Sequence, residues 1–426
     1  MNPAKKAAPK QRKTAKKRDR PLTVLHLCWE YPPRSVGGLA AHVHDLSRAL
    51  VKKDIEIHVV TCGFPGTKDY EHYENVHVHR FDAYTIPSED FLGWALQMNL
   101  YKRMKAADVI QNLDGEVDII HAHDWLSGPA AIALKNAFRI PLVSTIHATE
   151  HGRRQGIHDP FQQMIHDIEG WLSYNSWRVI VCSKYMETEV SNVFGQPRDK
   201  LDIIPNGVDF KKFDLEFDAN AIKSQFAMPH ERIVLYVGRM VHEKGLGVLV
   251  GSIPRVLESC PDAKFVLVGS GYMKSKVKQL AWDIGVGDKT LIPGYLDEEV
   301  LLGLYNVADV AVFPSLYEPF GIVALEGMAA RTPTVVTDTG GLGEIVDHDE
   351  TGVKVWVNNS ESLAWGISHV LNDPALSKKL GKQGRHKVEK VYNWEVIANQ
   401  TIDVYRRVLA EYKNGDWQPG FKPGIR

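Results

Sequence analysis

Two successive blocks of short apolar runs, each run followed by helix-period segments, constrain this chain more than any other feature of its sequence. In the first block the runs are Leu22–Cys28, Ile55–Thr61, Val76–Arg80, Val117–His121, Leu142–Ile146, Val179–Cys182 and Leu201–Ile204. Most are apolar nearly throughout, as strands covered on both faces of a parallel sheet must be. Leu39, Val43, Leu46 and Leu50 recur between them at helical spacing and make one apolar face. The pattern breaks at Ile204-Pro-Asn-Gly207, and the polar stretch from Asp209 to Asn220 reads as a linker. It then restarts with Ile233–Val237, Phe265–Val268, Thr290–Ile292, Val310–Phe313, Thr334–Thr337 and Val353–Val357.

This alternation predicts the α/β class, with two doubly wound, Rossmann-like domains. Ligands of such sheets bind beyond the carboxyl ends of the strands, so two of them can face each other across a cleft. The expected division is residues 1–20 as a tail, 21–206 as the first domain and 207–393 as the second. Residues 394–426 are read as a helix (Val396, Ile397, Ile402, Val404, Tyr405, Leu409) and a tail. A length of 426 residues is too much for one ordinary core and suits two.

The formal net charge of -1 conceals an asymmetry. Nine Lys or Arg between Lys5 and Arg20 stand against Asp19 alone, so the tail carries +8 and the remainder -9. A segment so basic and so poor in apolar residues is expected to be disordered; its functional reading is contact with an anionic partner. The acidic body argues against nucleic acid as a partner, because phosphate neutralisation needs a basic surface. No run reaches the roughly 18 apolar residues of a membrane span. Cys28, Cys62, Cys182 and Cys260 lie far apart, without metal-ligand or redox spacing, which suggests buried free thiols and a cytoplasmic setting.

Three strand-to-helix junctions of the second block carry phosphate-friendly residues. In Ser315-Leu-Tyr-Glu318-Pro-Phe-Gly321, leading on to Glu326, Gly321 sits where helix N–H groups and the dipole favour an anion. Glu318 precedes that helix, and Glu326 lies inside it, where its two oxygens suit a pair of ribose hydroxyls. The plainer reading is a capping Glu318 and a surface Glu326. Arg239 and Lys244 follow the first strand of the block and can clamp a diphosphate. Gly340 and Gly341, after Thr339, allow backbone to approach a ligand closely.

On these residues the second domain resembles the donor domain of retaining glycosyltransferases of the B fold (GT-B), family 4, close to the bacterial glycogen and starch synthases. Glu318 and Glu326 are similar to the family's glutamate pair, the first at the transferred sugar and the second at the ribose. Arg239 and Lys244 match its phosphate-binding cations, and Thr339-Gly340-Gly341 its Thr-Gly-Gly motif. In the first domain, Tyr31-Pro-Pro-Arg-Ser-Val-Gly37-Gly38 resembles the glycine loop at the donor phosphates. His121-Ala-His-Asp124-Trp is the glycogen-synthase pentad, and Ser144-Thr-Ile-His147 resembles the segment whose histidine lies beside the anomeric carbon. The resemblance implies a terminal helix packed back on the first domain. Two loops depart from the synthases: no lysine precedes Gly37, and Glu150 to Gly156 differs. In the family both loops face the acceptor side.

The expected activity is retaining transfer of glucose from UDP- or ADP-glucose to an α-glucan. Small sugars, sugar phosphates or lipid-linked sugars are alternative acceptors, and a sugar-nucleotide epimerase or a non-catalytic carbohydrate binder are alternative functions. A glycosidase built on Glu318 and Glu326 does not suit a glutamate set inside a helix. No cofactor or essential metal is expected; His121, His123, His147 and His151 lack zinc-site spacing. Asp124 and Tyr31 are expected on the acceptor side, and His77 and His79, alternating on a strand, are expected to face solvent.

Overall fold

The computed structural model describes residues 20–35, 37–415 and 417. The basic run Lys5 to Arg18 lies outside the described residues. Arg20, counted above with the tail, belongs to the folded body: its guanidinium donates to both oxygens of Asp118, at 3.0 and 3.1 Å.

Among the described residues fourteen strands form two sheets. The first contains β1 (Leu22–Leu27), β2 (Ile55–Cys62), β3 (Tyr70–Tyr73), β4 (Val76–Phe81), β5 (Ile119–His123), β6 (Leu142–Ile146), β7 (Arg178–Val181) and β8 (Leu201–Ile203). Their order is β3-β4-β2-β1-β5-β6-β7-β8. The second contains β9 (Arg232–Val237), β10 (Ala263–Val268), β11 (Thr290–Gly294), β12 (Val310–Phe313), β13 (Thr334–Thr337) and β14 (Val353–Val355), in the order β11-β10-β9-β12-β13-β14. Only β3 runs antiparallel to its neighbour among these pairings. Order reverses beside β1 in one sheet and beside β9 in the other, the switch points at which doubly wound folds bind ligands.

Burial follows the strand pattern. β5, β6, β12 and β13 are buried along their whole length, which requires helices on both faces. The helix Trp394–Asn414 packs on the helix Gly38–Val51, and Ile397, Ala398, Tyr405 and Val408 join Val24, Val43 and Leu46 in one core. The stretch expected as a linker is partly ordered into short helices, Phe210–Asp214 and Ala219–Ser224, the second capped by the Asp218 carboxylate. β5 begins two residues later than its apolar run suggests, because ladder pairing sets Val24 opposite Ile119. All four cysteines are free and buried.

Candidate active site

The second-domain wall of the cleft is built where β9 and β12 end. Past β9, Arg239 leads into a single 3-10 turn, His242–Lys244. The turn closes in the left-handed region at Gly245, against the Pro314 carbonyl. Lys244 Nζ thereby meets Glu318 Oε2 at 2.5 Å, and Ser315 Oγ donates to the same oxygen at 3.0 Å. Glu318 stands in the loop between β12 and the helix Ile322–Ala329, with Gly321 at the N-cap. Arg239 lies 3.5 Å from Glu243 and remains about half exposed. Two cations and a helix N-terminus thus converge on one wall, a setting for a polyanion.

The first-domain wall is built where β5 and β6 end, and it works by burial. The Asp124 carboxylate accepts the His147 backbone N–H at 2.7 Å, which fixes the turn after β6. His147 Nε2 lies 3.3 Å from His123 Nδ1, and the His42 ring meets His147 edge-on at 4.6 Å. Behind them His121 bonds Thr145 and Tyr405 at 2.7 Å each, and the Tyr405 hydroxyl reaches His26 at 3.3 Å. Burial pushes His147 down to about 4 and His26 to about 3, and holds His42, His121 and His123 well below the usual imidazole range. All five are therefore neutral at pH 7. Burial also pushes Asp124 up to about 6, against the pull of Arg153.

Between the walls is a cavity of about 720 Å³. Of the residues singled out from sequence, Gly38, Asp124, His147, Arg239, Lys244, Glu318 and Gly321 line it. Four others do not. Glu326 lines an adjoining pocket of about 170 Å³, where it accepts from the Tyr305 hydroxyl at 2.8 Å; Ile322 borders both spaces. Burial pushes the Glu326 carboxyl up to about 7. Gly340 and Gly341 lie behind the Glu318 loop: Gly341 N–H donates to the Glu318 carbonyl at 2.9 Å, and a Cβ on Gly340 would stand 2.0 Å from that oxygen. Their smallness therefore seats the loop. Tyr31 is buried in the core beside His44, not on the cleft, because the apolar face of the neighbouring helix claims its ring.

His77 and His79 are also not simply solvent-facing. Both are half-buried and stack with His58 on the neighbouring strand, His77 at 4.5 Å and His79 at 5.3 Å. Sequence reasoning picked out the Glu150–Gly156 loop but gave Glu150, Arg153 and Arg154 no role, and it missed Asn206; all four are on the cavity wall. Arg153 lies 3.7 Å from Glu150 and 3.9 Å from Glu169, a cation set among carboxylates. Consecutive arginines in the short helix Glu150–Arg154, which follows a buried strand, were the available signal. Tyr317 was missed as a bridge between domains: its hydroxyl donates to Glu189 at 3.0 Å.

Residues 36–212 match the family model described as Glycosyltransferase Family 4, and residues 218–387 match that of Glycosyl transferases group 1. An uncharacterised glycosyltransferase of Methanocaldococcus jannaschii is 38% identical over 389 residues, covering 90% of this chain and 98% of that protein. The chain belongs to glycosyltransferase family 4. The glycogen synthase of Mycobacterium tuberculosis is 34% identical to this transferase over 412 residues, 93% of this chain and 97% of its own length. The solved sucrose-phosphate synthase of Thermosynechococcus elongatus superposes with a TM-score of 0.80 at 29% identity, over 92% of this chain and all of that one. The transferase thus has the GT-B fold and is a nucleotide-sugar-dependent hexosyltransferase. Among the described residues no helix is long and apolar enough to cross a membrane.

Proposed function

We propose that this family 4 transferase moves glucose, with retention of anomeric configuration, from UDP- or ADP-glucose to an α-glucan. The observation that carries the reading is the pairing of two unlike walls on one cavity: Arg239 and Lys244 on one side, neutral His147 on the other. As the donor's bond breaks, charge develops on the diphosphate, and Arg239, Lys244 and the N–H groups at Gly321 and Gly38 stabilise it. These groups supply the electrostatic stabilisation without calling on a metal or cofactor. His147, kept neutral, hydrogen-bonds the transferred sugar without repelling a cationic, oxocarbenium-like centre. Glu318 steadies that sugar, and the acceptor hydroxyl enters on the face from which the phosphate leaves, giving it its proton. Glu326, in the adjoining pocket, takes the ribose hydroxyls. Likeness to a glycogen synthase along 93% of the chain supports the glucan acceptor.

A second reading is favoured by Arg153 and Arg154 on the first-domain wall. Two cations there suit a phosphorylated sugar as acceptor, and likeness to a sucrose-phosphate synthase supports it. The test is release of nucleoside diphosphate from UDP- or ADP-glucose, with glycogen or with sugar phosphates. Glycogen-dependent release that disappears in Glu318→Ala supports the glucan reading; release that answers only to sugar phosphates replaces it with the second.

A further inference from the structure

The loop that carries Glu318 also reaches into the first domain, and one residue makes the reach. Tyr317, next to Glu318, is 6% exposed. Its backbone belongs to the second-domain wall: the Leu316 and Tyr317 N–H groups donate to the Glu243 carbonyl at 2.8 and 3.4 Å, in the turn that presents Lys244. Its ring belongs to the first-domain wall. It lies so close over Gly152 that a Cβ on that residue would stand 2.5 Å from the ring atoms Cε2 and Cζ. Its hydroxyl donates to Glu189 Oε1 at 3.0 Å.

Both contacts bear on the short helix Glu150–Arg154, whose Arg153 and Arg154 line the cavity. Five residues are too few for a helix to hold itself in water, so its form depends on what touches it. Its cap is Thr149, whose Oγ1 accepts the Gly152 N–H at 2.9 Å and donates to the same Glu189 oxygen at 2.6 Å. Tyr317 and the cap therefore share one acceptor. Further support comes from Glu169, both of whose oxygens lie 3.0 Å from the Glu150 N–H. Burial, with Glu189 beside it, holds the Tyr317 hydroxyl well above the usual phenol range, so it remains a donor at neutral pH. Two more contacts seat the second domain on the helix Lys184–Phe194, which carries Glu189. Ser183 Oγ donates to the Pro319 carbonyl at 2.7 Å, and the Glu344 carboxylate accepts the Lys184 and Tyr185 N–H groups at 3.0 and 2.8 Å.

We infer that Tyr317 is a positioning residue that couples the two substrate sites: it sets the helix Glu150–Arg154, and with it Arg153 and Arg154, according to where the Glu318 loop stands. This coupling presupposes the proposed reading of Arg239, Lys244 and Glu318 as the donor wall. A donor that engages Lys244 and Glu318 fixes the turn and the loop to which Tyr317 is tied. The Tyr317 ring and hydroxyl carry that position to Gly152 and Glu189. Coupling of this kind is reciprocal, so an acceptor held by the two arginines also favours the loop arrangement that holds the donor.

The test is hydrogen–deuterium exchange of the full chain, with and without UDP or ADP, followed by the kinetics of nucleoside diphosphate release. In the parent, exchange at Thr149–Arg154 is slow and nucleotide slows it further. Tyr317→Phe keeps the ring on Gly152 and loses the hydroxyl. Exchange at Thr149–Arg154 then speeds up and no longer answers to nucleotide, while the slowing at Ile322–Ala329 remains. In turnover with UDP- or ADP-glucose, KM for glycogen or a hexose 6-phosphate rises about 3- to 10-fold, as loss of one hydrogen bond requires. The donor KM at low acceptor stays near the parent's. Glu189→Ala repeats the effect, and Glu189→Gln, which still offers one oxygen to both hydroxyls, stays close to the parent. Unchanged exchange at Thr149–Arg154 in Tyr317→Phe overturns the coupling, as does a rise in both KM values alike or a fall in kcat alone. No turnover by the parent with either donor would overturn the donor reading instead, and exchange in the nucleotide-free protein would then decide the role of Tyr317 by itself.

Discussion

The two walls of the cleft solve the same problem by opposite means. Where β5 and β6 end, the first-domain wall is backed by buried polar groups that carry no charge: five imidazoles kept neutral by desolvation, four of them hydrogen-bonded to one another or to Thr145, Tyr405 and Ser47 and the fifth, His42, edge-on to His147, while Arg153 and Arg154 stand further along the same wall. The second-domain wall is made of charges at the edge of solvent, with Arg239 about half exposed and Lys244 against Glu318. A developing cation on a sugar needs a wall that does not repel it, and a leaving diphosphate needs one that attracts it. The difference shows that a cleft between two similar folds can be polarised by burial on one side and by side-chain charge on the other.

The comparison can be broken most severely by acid. His147 and the four histidines behind it are neutral when folded, with proton affinities below the unfolded value near 6.5. Between pH 6.5 and about 4 the unfolded chain therefore binds more protons, unfolding takes up protons, and stability falls as pH falls. Each histidine that stays neutral contributes a slope of about 1.4 kcal/mol per pH unit. Melting temperatures from pH 7.5 to 4.5 should drop steeply below 6.5; a flat profile would mean that the first wall is not neutral by burial.

A smaller effect is expected on the charged wall, and on activity instead of stability. Lys244→Ala should lower kcat/KM by about 10²- to 10³-fold, since it removes one stabilising group from the developing charge. Its melting temperature should stay close to the parent's. An equal loss of stability and activity would show that the Lys244–Glu318 pair is there to hold the loop. The smallest effect sharpens the geometry of the same wall. At Gly245 the backbone has a φ of 67°, and a Cβ would stand 1.9 Å from the Pro314 carbonyl. Gly245→Ala should destabilise by about 1–3 kcal/mol from backbone strain alone, with donor affinity reduced as Lys244 shifts. An unchanged melting temperature would show that the turn is free to relax.

Much of this was legible in the sequence, and the exceptions have physical causes. β6, β12 and β13 coincide with their apolar runs, since a strand buried on both faces has no other way to be written. β3 escaped because Tyr70–Tyr73 is an edge strand, largely exposed, with no apolar run to mark it. β5 was set two residues early at both ends, because Val117 continues the apolar run ahead of the ladder and the strand closes on His123, which no apolar pattern marks. Among site residues, Arg239, Lys244 and Glu318 could be found because each stands directly past a strand end. Tyr31 could not be placed, since a residue beside a glycine loop can turn to the cleft or to the core with equal ease.

By itself, then, the sequence determined two parallel sheets, the loops at their carboxyl ends and the residue types that face a diphosphate, because periodicity and strand–helix junctions are local. Only the tertiary structure decided which side chains share a cavity. It put Glu326 in a neighbouring pocket, set Gly340 and Gly341 behind the Glu318 loop, and brought five histidines from four segments into one neutral cluster. Charge state depends on desolvation and on neighbours distant in the chain, and neither is written in any local run of residues.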